Sequence, residues 1–377
     1  MSKPVTHTTR GNGRRIVADQ IQGGSSQNQT IDNGKSKSGP AKTGNLNIRD
    51  IAKAAGVSVA SVSRALNGQP GISEATRERV QSVAKELGYV PNIHAKALTT
   101  PPNAVTLVAA GITGGTYADM MAAVDEESYR QHLNFRLFST RFKGMSGDEM
   151  ASQLLAQRSR IVVVMQGSMS DEALIDIVGQ FDQQPDTSLV ALARPRLDLP
   201  ESVAVVDYDN EAGMRELTNY MISLGHRKFL FVGVREGEPV FTARYQGFLG
   251  ALADAGIEHD PSRDVAYSRN RVESAGNFRT VCRAGLDCTA IVGVTDEVAL
   301  DVILTLKKMG RRVPYDYSVA GFDDMPYAEG LIVPLTTVRA PFAEMGEMAV
   351  KLPLAGERDI ILPTQLVVRE SVMPPRG

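Results

Sequence analysis

The sequence predicts an α/β protein: a small all-α head followed by two α/β subdomains with mostly parallel sheets. Three observations carry this reading. Between Ile48 and Leu87, apolar residues recur at helical spacing and serine or glycine stands at the boundaries. From Ala104 onward, Val/Ile/Leu runs of strand length alternate with amphipathic stretches of helix length, the pattern of a parallel sheet covered on both faces. The alternation occurs twice, the second round opening at VAVVDYD (203–209).

The head divides into three helices. Ile48, Ile51, Ala52 and Ala55 share a face of the first, which Gly56 stops, and Val57 follows as a buried turn residue. Ser58 is placed to cap a second helix from Val59 to about Leu66, with Val62, Ala65 and Leu66 facing inward. Its outer face carries Val59, Ala60, Ser61, Ser63 and Arg64, small side chains and one long cation that suit a major groove. Ser73 caps the third helix, Glu74 to Leu87, which buries Val80, Val83, Ala84 and Leu87.

IRDIAKAAGVSVASVSRALNG and ISEATRERVQSVAKELGYVPN resemble the DNA-binding head of the LacI/GalR family of bacterial transcriptional regulators. The resemblance implies base contacts from Val59, Ala60 and Arg64 and phosphate contacts from Ser58, Ser61, Ser63 and Asn67. Phosphate contacts position such a helix and base contacts specify its site. PNIHAKAL resembles the family hinge, with Asn92, Ala95 and Leu98 at matching positions and Lys96 in place of the usual arginine. Lysine keeps the charge and loses the planar fork. By that resemblance Leu98 is the wedge inserted into the minor groove.

Charge is split along the chain. Residues 1–103 hold 14 Lys and Arg against 6 Asp and Glu, and the remainder holds 27 against 37. A basic head on an acidic body concentrates affinity for nucleic acid at one end. Residues 1–46 are polar with almost no apolar anchors and read as disordered, either a loose basic arm or an extension without structural role. No apolar run reaches membrane-spanning length and no signal peptide is evident, so a cytoplasmic protein without membrane contact is expected. The two cysteines, Cys282 and Cys288, fit a reducing compartment and form no metal-ligand pattern.

Strands are expected at 104–111, 134–140, 160–167, 188–194, 203–209, KFLFVG, TAIVGVT, YSVAGFDD and QLVVRES, with helices between them. The expected boundaries are 47–90 for the helix-turn-helix, 91–102 for a hinge, and 103–377 for the α/β part. Within the last, subdomain 1 is about 103–195 plus a crossover near 321–340, and subdomain 2 about 196–320 plus 341–377. Open α/β sheets bind ligands beyond the carboxyl ends of their strands, so a cleft between the two halves is the expected site.

DNEAGM, SLGHRKFLFVG, ARYQGF, TDEVAL, GFDD, PLTTVR and LPTQLVVRES resemble the family's effector-binding core, which is similar to periplasmic sugar-binding proteins. The resemblance runs from about residue 47 to the last residues. It implies Arg244 and Asp323 as effector ligands, Thr295 where an asparagine is common, Asp296 beside it as a helix cap or pocket wall, and Tyr117 as the aromatic left in GITGGTY. Ala193 replaces the usual aspartate before Arg194; the effector implied is a sugar or sugar acid, and Arg194 with Arg244 favours an acidic one such as a sugar acid or phosphosugar. Asp148–Gln157, with Met150, Leu154 and Leu155, is a candidate dimer surface.

Catalysis is not expected. There is no GxGxxG, GxxxxGK[ST] or GxSxG sequence, and the five histidines are scattered. The expectation is a homodimeric repressor on near-palindromic operator DNA, controlled by a small carbohydrate-like effector, with no cofactor or metal. Two alternatives stand beside it: a ligand-sensing module without DNA regulation, and a corepressor-dependent regulator responding to a purine or acidic metabolite.

Overall fold

The computed structural model describes residues 46–89, 101–110, 115–141, 144–181, 184, 186–196, 199–235, 237–266, 268 and 271–376. The expected disordered extension, apart from Leu46, and the hinge residues Asn92, Ala95, Lys96 and Leu98 lie outside these. The chain separates into two compact units, Met1–Pro91 and Asn92–Gly377.

In the first unit, α1 (Ile48–Ala55) begins at a reciprocal cap that the sequence reading missed. Asn47 Oδ1 accepts from the Arg49 and Asp50 amides, and Asp50 Oδ2 accepts from the Asn47 amide at 2.8 Å. Gly56 ends α1 with φ of 64°, a conformation that costs glycine nothing. Ser58 and Ser73 cap α2 (Val59–Leu66) and α3 (Glu74–Glu86). Ile51, Ala52, Ala55, Val62, Ala65, Val80 and Ala84 form the core. Val57 and Val83 are only half-buried, and Leu87 is 41% exposed rather than buried, because α3 stops at Glu86 and Leu87 falls on its C-cap.

The second unit continues with β1 (Ala104–Ala109), α4 (Gly115–Arg130), β2 (Asn134–Ser139), α5 (Gly147–Ala156), β3 (Ile161–Met165), α6 (Asp171–Phe181), β4 (Ser188–Leu192), β5 (Val203–Tyr208) and α7 (Asn210–Ser223). Next come β6 (Phe229–Val234), α8 (Pro239–Asp254), a short 3-10 turn (Pro261–Arg263), β7 (Val265–Ala266), α9 (Arg271–Ala284), β8 (Ala290–Gly293), α10 (Asp296–Lys308) and β9 (Ser318–Ala320). The chain closes with α11 (Pro326–Glu329), β10 (Thr337–Arg339), α12 (Phe342–Ala355), β11 (Asp359–Leu362) and β12 (Gln365–Val367).

Among the described residues, one parallel sheet has the order β11-β5-β4-β3-β1-β2 and a second β7-β6-β8-β9, while β10 and β12 pair antiparallel. The first sheet sits between α5 and α6 on one face and α4 and α12 on the other. The second carries α8 and α10, with α7 packed on α8.

Two expectations about the halves are corrected. The strand at 203–209 joins the first sheet, with Leu189 opposite Val203 and Ile360 opposite Val206, rather than opening the second. The segment after 341 also returns to the first sheet as α12 and β11, so the chain crosses between halves near 209, 341 and 363. All six residues of β5 are buried, as suits a strand flanked by β4 on one side and β11 on the other. The proposed dimer surface on α5 is likewise core. Met150, Ala151 and Leu154 are at most 5% exposed and pack with α6 against the sheet, and Leu155 is half-buried.

Helix α12 lies close against α4, and Gly346 permits it: a Cβ there would stand 2.4 Å from the Met120 carbonyl oxygen. Gly346→Ala is expected to lower the melting temperature by several degrees, since overpacking costs about 1–3 kcal/mol. Gly179→Ala in α6, where a Cβ meets nothing within 4 Å, should raise it slightly. Calorimetry showing the same sign for both would refute the close-approach account.

Candidate functional site

Helix α2 is held from within and open without. Val62 and Ala65 are fully buried, whereas Val59, Ala60 and Arg64 are exposed on the other side. Arg64 makes no ion pair among the described residues, so its guanidinium is available to a base edge or phosphate. Ser58 Oγ accepts from the Ser61 amide at 3.1 Å and lies 2.9 Å from Ser61 Oγ. With Ser61 as donor there, Ser58 keeps its own O–H for an outside acceptor. Ser63 Oγ accepts from Asn67 Nδ2 at 3.4 Å, which places both at the C-terminal end of the same helix. Arg77 Nη2 donates to the Gln69 carbonyl at 3.0 Å and ties the α2–α3 loop to α3.

The second site is built around Arg244 on α8. Its side chain is 2% exposed, and four of its N–H groups are used inside the protein. Nε donates to Asn210 Oδ1 (2.9 Å), Nη1 to the Val294 carbonyl (2.7 Å), and Nη2 to Tyr208 Oη (2.9 Å) and Asp323 Oδ1 (2.8 Å). The guanidinium carbon lies 3.8 Å from the centroid of the Phe322 ring, a cation–π contact. These partners come from the ends of β5 and β8, the start of α7, and the loop after β9, so Arg244 joins the two halves at the carboxyl ends of their strands. The sequence paired Arg244 with Asp323 as ligands; the structure pairs them with each other.

Asp323 has φ of 118°, a conformation rare for a residue with a side chain, and Asp324 follows at 55°. The turn is held from both sides: Asp324 pairs with Arg339 Nε and Arg369 Nη2, each at 2.7 Å. Gly321 just ahead is needed because a Cβ would stand 2.3 Å from Asp296 Oδ1.

Two expectations at the start of α10 change. The helix cap is Thr295, whose Oγ1 accepts from the Val298 amide, and not Asp296. Asp296 is fully buried, with Oδ1 accepting from Thr337 Oγ1 (2.5 Å) and Oδ2 from the Met325 amide (2.8 Å), so it stitches the post-β9 loop and β10 rather than facing a ligand. Burial, then the charge of Asp323, pushes its carboxyl up to about 8. Arg194 is 5% exposed and donates from Nη2 to the Met169 carbonyl at 2.6 Å. Both arginines that favoured an acidic effector are thus bonded within the protein. Tyr117 is half-buried in the first turn of α4, with its hydroxyl toward Gly167. Gly114 lies outside the described residues, as do the side chains of Gly115 and Thr116.

A cavity of about 640 Å³ opens in front of Arg244, between the ends of β5 and β11 and the loop leading into α8; Asp207, Tyr208, Asn210, Val240 and Thr242 line it. Sequence reasoning missed Asp207, Tyr208 and Asn210. The available signal was DYDN at the carboxyl end of a buried strand, where α/β ligand sites lie.

A ligand cleft between two α/β halves, on a chain that also carries an outward-facing helix-turn-helix, defines a ligand-responsive DNA-binding regulator. Residues 47–92 match the family described as bacterial regulatory proteins, lacI family, and residues 218–372 match a periplasmic binding protein-like domain. The chain is 31% identical to the HTH-type transcriptional regulator DegA of Bacillus subtilis over 340 residues, covering 87% of this chain and 98% of DegA. It is 31% identical to the regulator GalS of Salmonella typhimurium, covering 87% of this chain and 96% of GalS. Among solved structures, the CelR–cellobiose complex superposes with a TM-score of 0.64 at 30% identity, covering 86% of this chain and 99% of that one. A lac repressor dimer bound to operator and the anti-inducer ONPF shares the fold with a TM-score of 0.72 at 23% identity, over 88% of this chain and all of that one. The chain belongs to the LacI family of transcriptional regulators. No described helix is long and apolar enough to cross a membrane.

Burial also pushes the Asp207 carboxyl up, to about 6. A carboxyl raised on folding binds its proton more tightly in the folded state, so its contribution is full below about pH 4 and lost as pH rises through the folded value. Stability of the second unit should therefore fall from pH 4 to pH 8 as Asp207 and then Asp296 ionise. Asp207→Asn should remove roughly 2–3 kcal/mol of that fall, most of it below pH 6.5. Urea titrations at fixed pH steps read it, and an unchanged slope in the variant would contradict the assignment.

Proposed function

We propose that this chain is a homodimeric repressor of near-palindromic operator DNA whose operator affinity is set by a small carbohydrate-like effector in the cleft. The observation that carries the reading is the outward face of α2, where Val59, Ala60 and Arg64 stand exposed and opposite the buried Val62 and Ala65. Val59 and Ala60 offer small apolar surface to thymine methyls, and Arg64 offers a fork to guanine O6 and N7. Ser58, Ser61, Ser63 and Asn67 hold phosphates and fix the register. In the hinge, Asn92, Ala95 and Lys96 follow the minor groove and Leu98 wedges a central step.

A dimer supplies two copies of α2, matching two half-sites about one helical turn apart. A sugar presents hydroxyls to Asn210, Thr242, Thr295 and Asp323 and an apolar face to Tyr117 and Val240. Effector and operator then influence each other's affinity by the same factor. Relatives solved with cellobiose and with operator plus ONPF support both halves of the reading. The function is binding and requires no catalysis, cofactor or metal, and it is exercised in the cytoplasm where the DNA is.

Arg64→Ala is expected to weaken operator binding by roughly 5- to 150-fold, the 1–3 kcal/mol of a bidentate base contact, while binding to random DNA stays nearly constant. Competition gel shifts against random duplex measure the ratio. Equal losses on operator and random DNA would reassign Arg64 to the phosphates.

A further inference from the structure

We propose that the effector carries an amine, and that Asp207 is the carboxylate that receives it. This rests on the carbohydrate reading above and specifies its chemistry. Asp207 is the penultimate residue of β5, in register with Ile361 of β11. Neighbouring residues in register on parallel strands project to the same face. Ile361 is 70% exposed and lines the cavity, so the Asp207 side chain is aimed into the same space. Asp207 is only 8% exposed, and its Oδ1 is buried with no hydrogen-bond partner among the described residues. A buried, unsatisfied carboxylate oxygen is costly and calls for an outside donor.

The other charges facing the cavity are acidic and already engaged. Glu238 pairs with Arg235 at 2.8 Å, Glu211 with Arg215 at 3.5 Å, and Asp209 Oδ1 caps α7 through the Ala212 amide. Arg244, behind the wall, gives its charge to Asp323. Among the described residues, no Lys, Arg or His lines the cavity. A cationic ligand therefore finds one unpaired carboxylate, with the nearby cations Arg215, Arg235 and Arg244 each already paired to a carboxylate, whereas a sugar acid would meet four carboxylates. Thr242 borders the same space, is exposed and supplies a group for hydroxyls, so an amino sugar matches the lining better than a bare amine. The carboxyl of Asp207, raised to about 6 by burial, falls on pairing with an ammonium group, so binding near pH 6 releases a proton.

The test uses the full-length protein and matched neutral, 2-amino and uronic-acid sugars in gluco, galacto and manno form, with the glucosamine disaccharide set against cellobiose. Titration calorimetry should show at least one amino sugar binding roughly tenfold more tightly than its neutral parent, as a charge-assisted hydrogen bond allows, with the uronic acid weakest. That advantage should shrink from pH 7 to pH 5 and disappear in Asp207→Asn, with Asp207→Ser as a second variant if the first is poorly folded. Neutral sugars binding as well as amino sugars, or an amine advantage that survives both variants, would overturn the amine proposal and leave the carbohydrate reading intact. No binding in any arm would overturn both.

Discussion

A guanidinium cut off from water must find a protein partner for its N–H groups, and the four partners of Arg244 come from three separate segments of the chain. Tyr208 ends a strand of the first sheet, Asn210 opens the helix that leaves it, and Val294 and Asp323 follow strands of the second. The geometry holds only when both halves meet at one relative position. Losing either member of a buried ion pair costs about 3–5 kcal/mol, because the remaining charge stays buried and unpaired. The cleft therefore has a stiff back wall and an open front. Tyr208 and Asn210, which line the cavity, are themselves bonded to the arginine.

The loop after β9 shows how much surrounding structure this arrangement needs. Asp323 and Asp324 both take positive φ, a conformation that persists only where neighbours over-determine it. Here Arg339 and Arg369 hold Asp324, the Val338 carbonyl takes the Asp323 amide, and Asp296 holds Met325 and Thr337. The buried carboxyls of Asp207 and Asp296, by contrast, are raised by burial and make the fold more stable in mild acid than in base. Asp296 is satisfied by two donors, and Asp207 is left with a buried oxygen that has no hydrogen-bond partner among the described residues.

Much of this was legible in the sequence, for reasons that can be located. The strands of the first sheet are continuous apolar runs, and the head's boundaries are chemical marks: Gly56 in the left-handed conformation, Ser58 and Ser73 as caps. Arg244, Asp323 and Thr295 were found through motif resemblance. Their pairing was not, because 79 residues separate Arg244 from Asp323 and nothing local links them. The division of the halves was misjudged for the same reason: β5, α12 and β11 look locally like any other elements, and only long-range pairing assigns them to the first sheet. Helix α5 has the apolar stripe of an interface and the same stripe serves a sheet. Asp207 gave no signal beyond its place at a strand end.

The account as a whole rests on α2 reading a symmetric DNA site as part of a dimer. Selection of duplex from a random pool by the full-length protein, followed by sequencing, tests this most directly. The account predicts enrichment of one near-palindromic sequence whose half-site centres lie about one helical turn, roughly 10 base pairs, apart. Enrichment of a single asymmetric half-site, or no enrichment over the starting pool with or without sugars, would contradict it.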